Sequence, residues 1–263
     1  VSAAPRLDAL PEALRRAWID VPADATTDAW LRGPGAQPHG RLATSIQRLL
    51  RRFASDFEVN ARLGMYSLHL AGTDTFAALL GRTVGERGGL LDIGAGTGEV
   101  TAALAPLFDR VAATETSPAM ARRIGSEVPG ATTHLVDLTE GGALGRFDVV
   151  ALLNVLDRTA RPRTLLDRAL AHLAEKGTLL VATPLPARPH VDVGGATADP
   201  DEELGGDGDT FEEALSQLHD TLLVPRGLMV RRWTRLPYRS QGDAEAERYE
   251  HDDAVLVIER VSG

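Results

Sequence analysis

A glycine-rich turn follows a short apolar run in the segment LLDIGAGTGEV, residues 90–100. Glycines let a backbone turn sharply and approach a ligand closely. Dinucleotide enzymes use a similar turn, so the glycines alone say little. Three features separate the cases. The dinucleotide pattern G-x-G-x-x-G asks for glycine where this chain has Glu99. Asp92 stands two residues before Gly94, a position suited to a carboxylate that meets the amino-acid end of S-adenosylmethionine. That ligand has no pyrophosphate, so the following helix need not present an open anion site. Gly94 and Gly96 would then let the chain pass close to the cofactor. Further on, Glu115 can accept ribose hydroxyls, a geometry that would also serve NAD. Asp137 stands where the adenine edge would lie, or is a solvated strand-end carboxylate. Asn154 falls between cofactor and substrate. Together these residues predict S-adenosylmethionine as cofactor and S-adenosylhomocysteine as product.

Strands must deliver these side chains to one edge. From Gly89 onward apolar runs alternate with helical patterns, over 90–93, 111–115, 133–136, 147–153 and 178–183. The run over 147–153 reads as a strand buried on both faces. Ser117-Pro118 opens a helix, with serine as N-cap and proline in the first turn. This alternation predicts an α/β fold with a Rossmann-like, doubly wound sheet, mostly parallel. After a helix over 211–223, residues 229–236 and 254–261 read as two closing strands, one antiparallel, joined by an acidic loop. The ligand of such a sheet lies at the carboxyl ends of its strands.

Before this core (89–263), residues 41–54 place Leu42, Ile46, Leu49, Leu50 and Phe53 at helical spacing opposite arginines, and 73–80 reads as a second helix. Both fall in a helical lid, 41–88, so the methyltransferase domain runs over 41–263. Residues 1–40 read as an N-terminal helical extension packed onto it. The Gly/Asp-rich stretch 192–210 is either a surface loop or a substrate-facing lid.

The 263 residues carry a formal net charge of −9, with Lys176 as the only lysine. An acidic surface argues against a broad nucleic-acid track and fits a neutral or basic small molecule or peptide. The arginines at 48, 51, 52, 231 and 232 read as solvated faces. Without cysteine there are no disulfides and no thiolate metal sites. The seven histidines include no H-x-H or H-x-x-x-H pair, so no metal site is expected. No apolar run would cross a bilayer and no signal-like start is seen, so the expectation is a cytoplasmic protein with no membrane partner.

Beyond the glycine turn, the sequence resembles the DREV group of methyltransferases, also called methyltransferase-like protein nine. The likeness runs through LLNVLDRTARPRTLL (152–166), LPARPHVDVGG (185–195), TRLPY (234–238) and HDDAVLVIER (251–260), and spans about residues 51–261. The resemblance implies a protein-histidine methyltransferase acting on the ring nitrogen Nδ1 in His-x-His stretches. It implies that Asn154, Asp157 and Arg158 line the substrate site and that Tyr249 closes over the histidine. Tyr238, His190 and Asp253, in the same blocks, are further substrate-contact candidates. The sequence departs from the family in residues 1–40, in the acidic loop 199–209, at His190, where an aromatic is usual, and at Thr97, where an acid is usual. The partner expected is therefore a histidine-containing peptide or protein, such as a ribosomally made peptide natural product.

The residues themselves support a route. Neutral imidazole has one lone-pair nitrogen and one N–H. A carboxylate that accepts the N–H fixes the tautomer and stabilises the charge that develops on methylation. Asp157 is the candidate for that role, Tyr249 for positioning the ring, and Asn154 for holding cofactor or peptide. Plainer readings stand beside these: Asp157-Arg158 as a surface ion pair, Tyr249 as a loop aromatic, Asp252 or Asp253 as a strand cap, and His190 as incidental. A small-molecule N- or O-methyltransferase is the alternative function, since the fold serves both.

Overall fold

The computed structural model describes residues 4–21, 24–50, 56–193 and 196–261. Its centre is an eight-stranded sheet. Strand β1 is Leu68–His69, β2 Gly89–Ile93, β3 Arg110–Glu115, β4 Thr132–Leu135, β5 Phe147–Leu153 and β6 Leu173–Pro184. A small hairpin of β7 (Val191–Val193) and β8 (Ala196–Ala198) follows, and β9 (Leu228–Gln241) and β10 (Arg248–Arg260) close the sheet. The spatial order is β1-β9-β10-β6-β5-β2-β3-β4. Strands β6, β5, β2, β3 and β4 are parallel, and β10 runs antiparallel between β6 and β9. This is the Rossmann-like sheet of class I methyltransferases, with β1 as an added antiparallel edge.

All five residues of β2 are buried, and six of the seven in β5. The helix that follows each strand explains why, because helices cover both faces of a parallel sheet. Helix α6 (Glu99–Leu104) leaves the glycine turn, and α7 (Pro118–Glu127) starts where Ser117-Pro118 predicts. The Ser117 hydroxyl accepts the Met120 N–H at 3.2 Å. Helices α8 (Pro162–Ala171) and α9 (Phe211–Leu218) pack on the opposite side, α9 opening with a capping box from Thr210 and Glu213. The chain reverses its direction of winding between β2 and β5, and the crevice at their carboxyl ends is the place where ligands bind in such sheets.

Two sequence expectations need correction here, and a third is sharpened. The closing strands are much longer than 229–236 and 254–261: β9 and β10 pair from Leu228↔Arg260 out to Gln241↔Arg248. Most of the supposed acidic loop is therefore strand, and only the residues between Gln241 and Arg248 form the turn. Charged residues depressed the strand signal there, although two of them, Arg239 and Asp253, are buried in the paired strands.

The helix expected over 41–54 appears as α3 (Arg41–Leu50), and 51–54 lie outside the described residues. Its facing is the reverse of the expected one. Leu42, Ile46, Leu49 and Leu50 point outward, with Leu42 77% exposed, while Thr44 and Gln47 are buried. The Gln47 amide donates to the side-chain Oδ1 of Asn60 on α4 (Asp56–Leu63) at 3.0 Å, on the buried side of α3.

Outside the small hairpin, residues 199–210 are the surface loop that the sequence offers as one reading, anchored at two points. Leu204 is buried in the main core, and Glu202 accepts the Thr164 N–H and hydroxyl at the start of α8.

Near the N-terminus, Leu10, Leu14 and Ala17 join the main core, the last two from helix α1 (Glu12–Ala17). Trp233, fully buried on β9, donates its indole N–H to the Leu14 carbonyl at 2.6 Å and meets the Trp18 ring edge-on. Helix α2 (Ala25–Arg32) is capped by Asp24, whose other oxygen accepts the Gly72 N–H and the Thr75 hydroxyl at the head of α5 (Thr73–Leu80). No helix among the described residues is long and apolar enough to cross a membrane.

Candidate active site

A cavity of about 840 Å³ opens at the carboxyl ends of β2, β3 and β5. Asp92, Gly94, Gly96, Glu115, Asp137, Asn154, Arg158 and Tyr238 all line it. The structure thus brings most of the sequence candidates to one place.

The floor is the glycine turn. Gly94 has φ +71°, and a Cβ there would stand 2.5 Å from Val155 Cγ2, so only glycine fits between β2 and the segment after β5. Asp92 is almost fully buried beneath the turn. Its Oδ2 accepts the Thr101 hydroxyl at 2.6 Å, and its Oδ1 has no hydrogen-bond partner among the described residues. Burial pushes its carboxyl up to about 6; the Thr101 hydrogen bond opposes the rise and the Glu115 charge adds to it.

Glu115 ends β3. Its Oε1 accepts the N–H groups of Thr116 (2.7 Å) and Ser117 (3.0 Å), and its Oε2 accepts that of Gly96 (2.9 Å). The sequence reading assigns it both ribose hydroxyls. The Thr116 hydroxyl adds a fourth, longer bond to Oε1 at 3.3 Å, so a ribose hydroxyl would displace that weakest donor. Asp137 is exposed at the rim, and its Oδ1 accepts both the N–H and the hydroxyl of Thr139.

The other end of the cavity is rich in acceptors. Asn154 follows β5 with φ +54°, a conformation asparagine tolerates better than most residues. Its amide Nδ2 donates to Asp253 Oδ2 at 2.6 Å. Asp253 is fully buried, does not line the cavity, and its Oδ1 has no partner among the described residues. The sequence reading gives it a substrate contact; the structure places it behind the wall, with Asn154 between it and the cavity. Burial raises the Asp253 carboxyl well above the ordinary range, and the Asp157 and Asp252 charges add to this.

Asp157 is also behind the wall, only 1% exposed. Arg158 Nε stands 3.1 Å from its Oδ2, but no donor among the described residues meets hydrogen-bond geometry at either oxygen. Burial raises this carboxyl, and Arg158 with His251 and His190 pulls it back. The ion pair exists, but it is half inside the protein, not on a solvated surface. Tyr238 is held protonated far beyond its usual range by burial and by Asp253.

Two further candidates, His190 and Tyr249, are also absent from the wall. His190 donates its backbone N–H to the Asp157 carbonyl at 2.8 Å. Tyr249 is in β10, not in a loop, on the same strand face as His251 and Asp253. Its hydroxyl donates to Asp243, which also accepts the Tyr66 hydroxyl, and the two rings are 6.5 Å apart.

Sequence reasoning missed Glu58, Tyr66 and His251, all in the wall. Glu58, on α4, accepts the Ser117 hydroxyl and the Ala119 N–H and so ties the lid to the head of α7. Glu58 and Tyr66 carry no local signal. His251 could have been found, because it alternates with Asp253 on one strand face. No group of three or more His, Asp or Glu that could hold a metal ion occurs among the described residues.

S-adenosylmethionine fits this set. The buried, unpartnered Asp92 Oδ1 can accept an ammonium N–H, and the positive-φ glycines leave room beside it.

The family model of the DREV methyltransferases matches residues 5–260. The chain belongs to the DREV methyltransferase family. The match begins at residue 5 and so includes much of the N-terminal extension, which the sequence reading sets outside the resemblance. The methyltransferase is also similar to a putative RNA methyltransferase from Pyrococcus horikoshii, at 14% identity and a TM-score of 0.50, covering 71% of this chain and 80% of that one. A second similar structure is the N-methyltransferase NodS of Bradyrhizobium japonicum WM9 with S-adenosyl-L-homocysteine, at 18% identity and a TM-score of 0.49, covering 72% of this chain and 85% of that one. At such identities the likeness is one of fold.

Proposed function

We propose that this methyltransferase uses S-adenosylmethionine to methylate Nδ1 of a histidine in a peptide or protein. The observation that carries the reading is the acceptor-rich end of the cavity: Asn154 in the wall, with Asp157 and Asp253 directly behind it. Such a site suits an acceptor that brings an N–H and becomes cationic as it reacts, which describes imidazole.

When bound, the cofactor supplies a sulfonium methyl group for in-line displacement. The ammonium of its amino-acid end would meet Asp92, and one ribose hydroxyl would meet Glu115. At the far end, the ring N–H on Nε2 donates to Asp157, which leaves the lone pair on Nδ1 facing the methyl group. Arg158 covers Asp157 from the cavity, so in this reading the ring N–H takes the place of the guanidinium. The same carboxylate then balances the imidazolium charge. The Tyr238 phenol, which stays protonated, donates to the bound peptide, and Tyr249 borders its path from the rim. Alignment supplies much of the remaining acceleration. The acidic turn with Asp243, Glu245 and Glu247 favours a neutral or basic peptide over a nucleic acid.

The test uses methyl-labelled cofactor and a peptide of alternating histidines and small residues. Mass spectrometry locates the label, and NMR of the product assigns the nitrogen. Label on Nδ1 supports the proposal. Label on Nε2, or an unlabelled peptide beside a labelled metabolite, would overturn it.

A further inference from the structure

Asn154 is the side chain through which the buried carboxylates reach the cavity, and its amide has two unlike ends. One end donates and the other accepts. The Asn154 amide N–H donates to Asp253 Oδ2 at 2.6 Å, and that oxygen accepts it whether the carboxyl is ionised or holds its proton on the unpartnered Oδ1. The backbone holds the rest of the residue still: its φ is +54°, and its N–H donates to the Ala182 carbonyl at 2.8 Å. The fully buried position of Asp253 puts water out of reach as a substitute partner.

We infer that Asp253 is a positioning residue that makes Asn154 present its carbonyl oxygen, and not its amide, to the cavity. The site then selects a reacting group that carries an N–H over one that needs a donor, such as a carboxylate, phenolate or enolate oxygen. The inference rests on the proposed nitrogen acceptor and narrows it: nitrogen acceptors with an N–H turn over, and oxygen nucleophiles do not.

The test compares the wild type with Asp253→Leu and with a double variant that exchanges the two residues, Asn154→Asp together with Asp253→Asn. The leucine variant loses the anchor. Its kcat on the histidine peptide falls about tenfold to a hundredfold, while its affinity for S-adenosylhomocysteine stays within about twofold. In the exchanged pair the buried amide on β10 can donate to the carboxylate that now follows β5. That carboxylate again offers an acceptor oxygen to the cavity, and aspartate also tolerates positive φ. Its kcat returns to within about fivefold of the wild type. A leucine variant as fast as the wild type, or an exchanged pair no faster than the leucine variant, overturns the inference.

A measurement on the substrate-free wild type covers the case in which the variants do not fold. One Asn154 side-chain amide proton resonates downfield and exchanges slowly with solvent. Two solvent-like amide protons overturn the inference. This readout also separates the two claims: a wild type that labels no peptide removes the substrate reading, and the amide resonances still decide the role of Asp253.

Discussion

The sharpest test of the cofactor site is Asp92→Asn, because stability and affinity should move in opposite directions. Asp92 is 2% exposed, with one oxygen bonded to Thr101 and the other unpartnered. Burial raises its carboxyl from the ordinary 3.8 to about 6. A rise of that size corresponds to roughly 3 kcal/mol of destabilisation once the group is ionised. The sign follows from linkage. Between pH 4 and 6 the folded protein holds a proton that the unfolded chain has lost, so this group's contribution to stability falls as pH rises through the window. Asparagine keeps the shape and the Thr101 bond and carries no charge. The cofactor-free variant should melt no lower than the wild type at pH 7.5, and up to several degrees higher. Affinity should fall, because a charge-assisted bond to the ammonium is worth about 1.5–3 kcal/mol, or roughly ten- to a hundredfold in Kd. The wild type should itself bind S-adenosylhomocysteine about tenfold more weakly at pH 5 than at pH 7.5, a dependence the variant lacks. Calorimetry at the two pH values and thermal melts without ligand measure all of this. A variant that melts lower and binds as tightly as the wild type would refute the assignment of Asp92 to the cofactor.

Three other substitutions probe the remaining parts. Glu115→Ala frees three backbone N–H groups and removes the ribose acceptor, so affinity for S-adenosylhomocysteine should drop at least about tenfold; unchanged calorimetric affinity rejects the contact. Asp157→Asn should leave cofactor affinity intact and lower kcat on the histidine peptide by about a hundredfold or more, and undiminished turnover removes Asp157 from its role. Leu14→Ala opens a cavity beside Trp233 and should cost about 2–5 kcal/mol in denaturant unfolding; a loss below ~1 kcal/mol would mean that α1 is peripheral to the core.

Much of the cofactor end was legible in the chain because its signals are local. A glycine forced to positive φ, a serine before a proline, and an apolar run too short for a helix each report on a few neighbouring residues. That is why the turn at Gly94, the cap at Ser117 and the strand over 147–153 stand where the sequence puts them. The substrate end was only partly legible. The residue types were visible in the NVLDR and HDDAV blocks, but their depth was not. Asp253 lies behind the wall because β10 inserts between β6 and β9, and its pairing with β6 joins segments far apart in the chain.

Amphipathic spacing showed that α3 is a helix but misjudged its facing. Period depends on the helix itself, whereas facing depends on what the helix meets, and here Gln47 meets Asn60. Glu58 and Tyr66 reach the cavity from the lid for the same reason, with no mark in their own surroundings. By itself, the sequence determined the sheet class, the glycine turn and the carboxylates Asp92, Glu115 and Asp137 that line the cavity. Only the tertiary structure decided which carboxylates touch the cavity and which act through a neighbour, because burial and hydrogen-bond direction belong to contacts between distant segments.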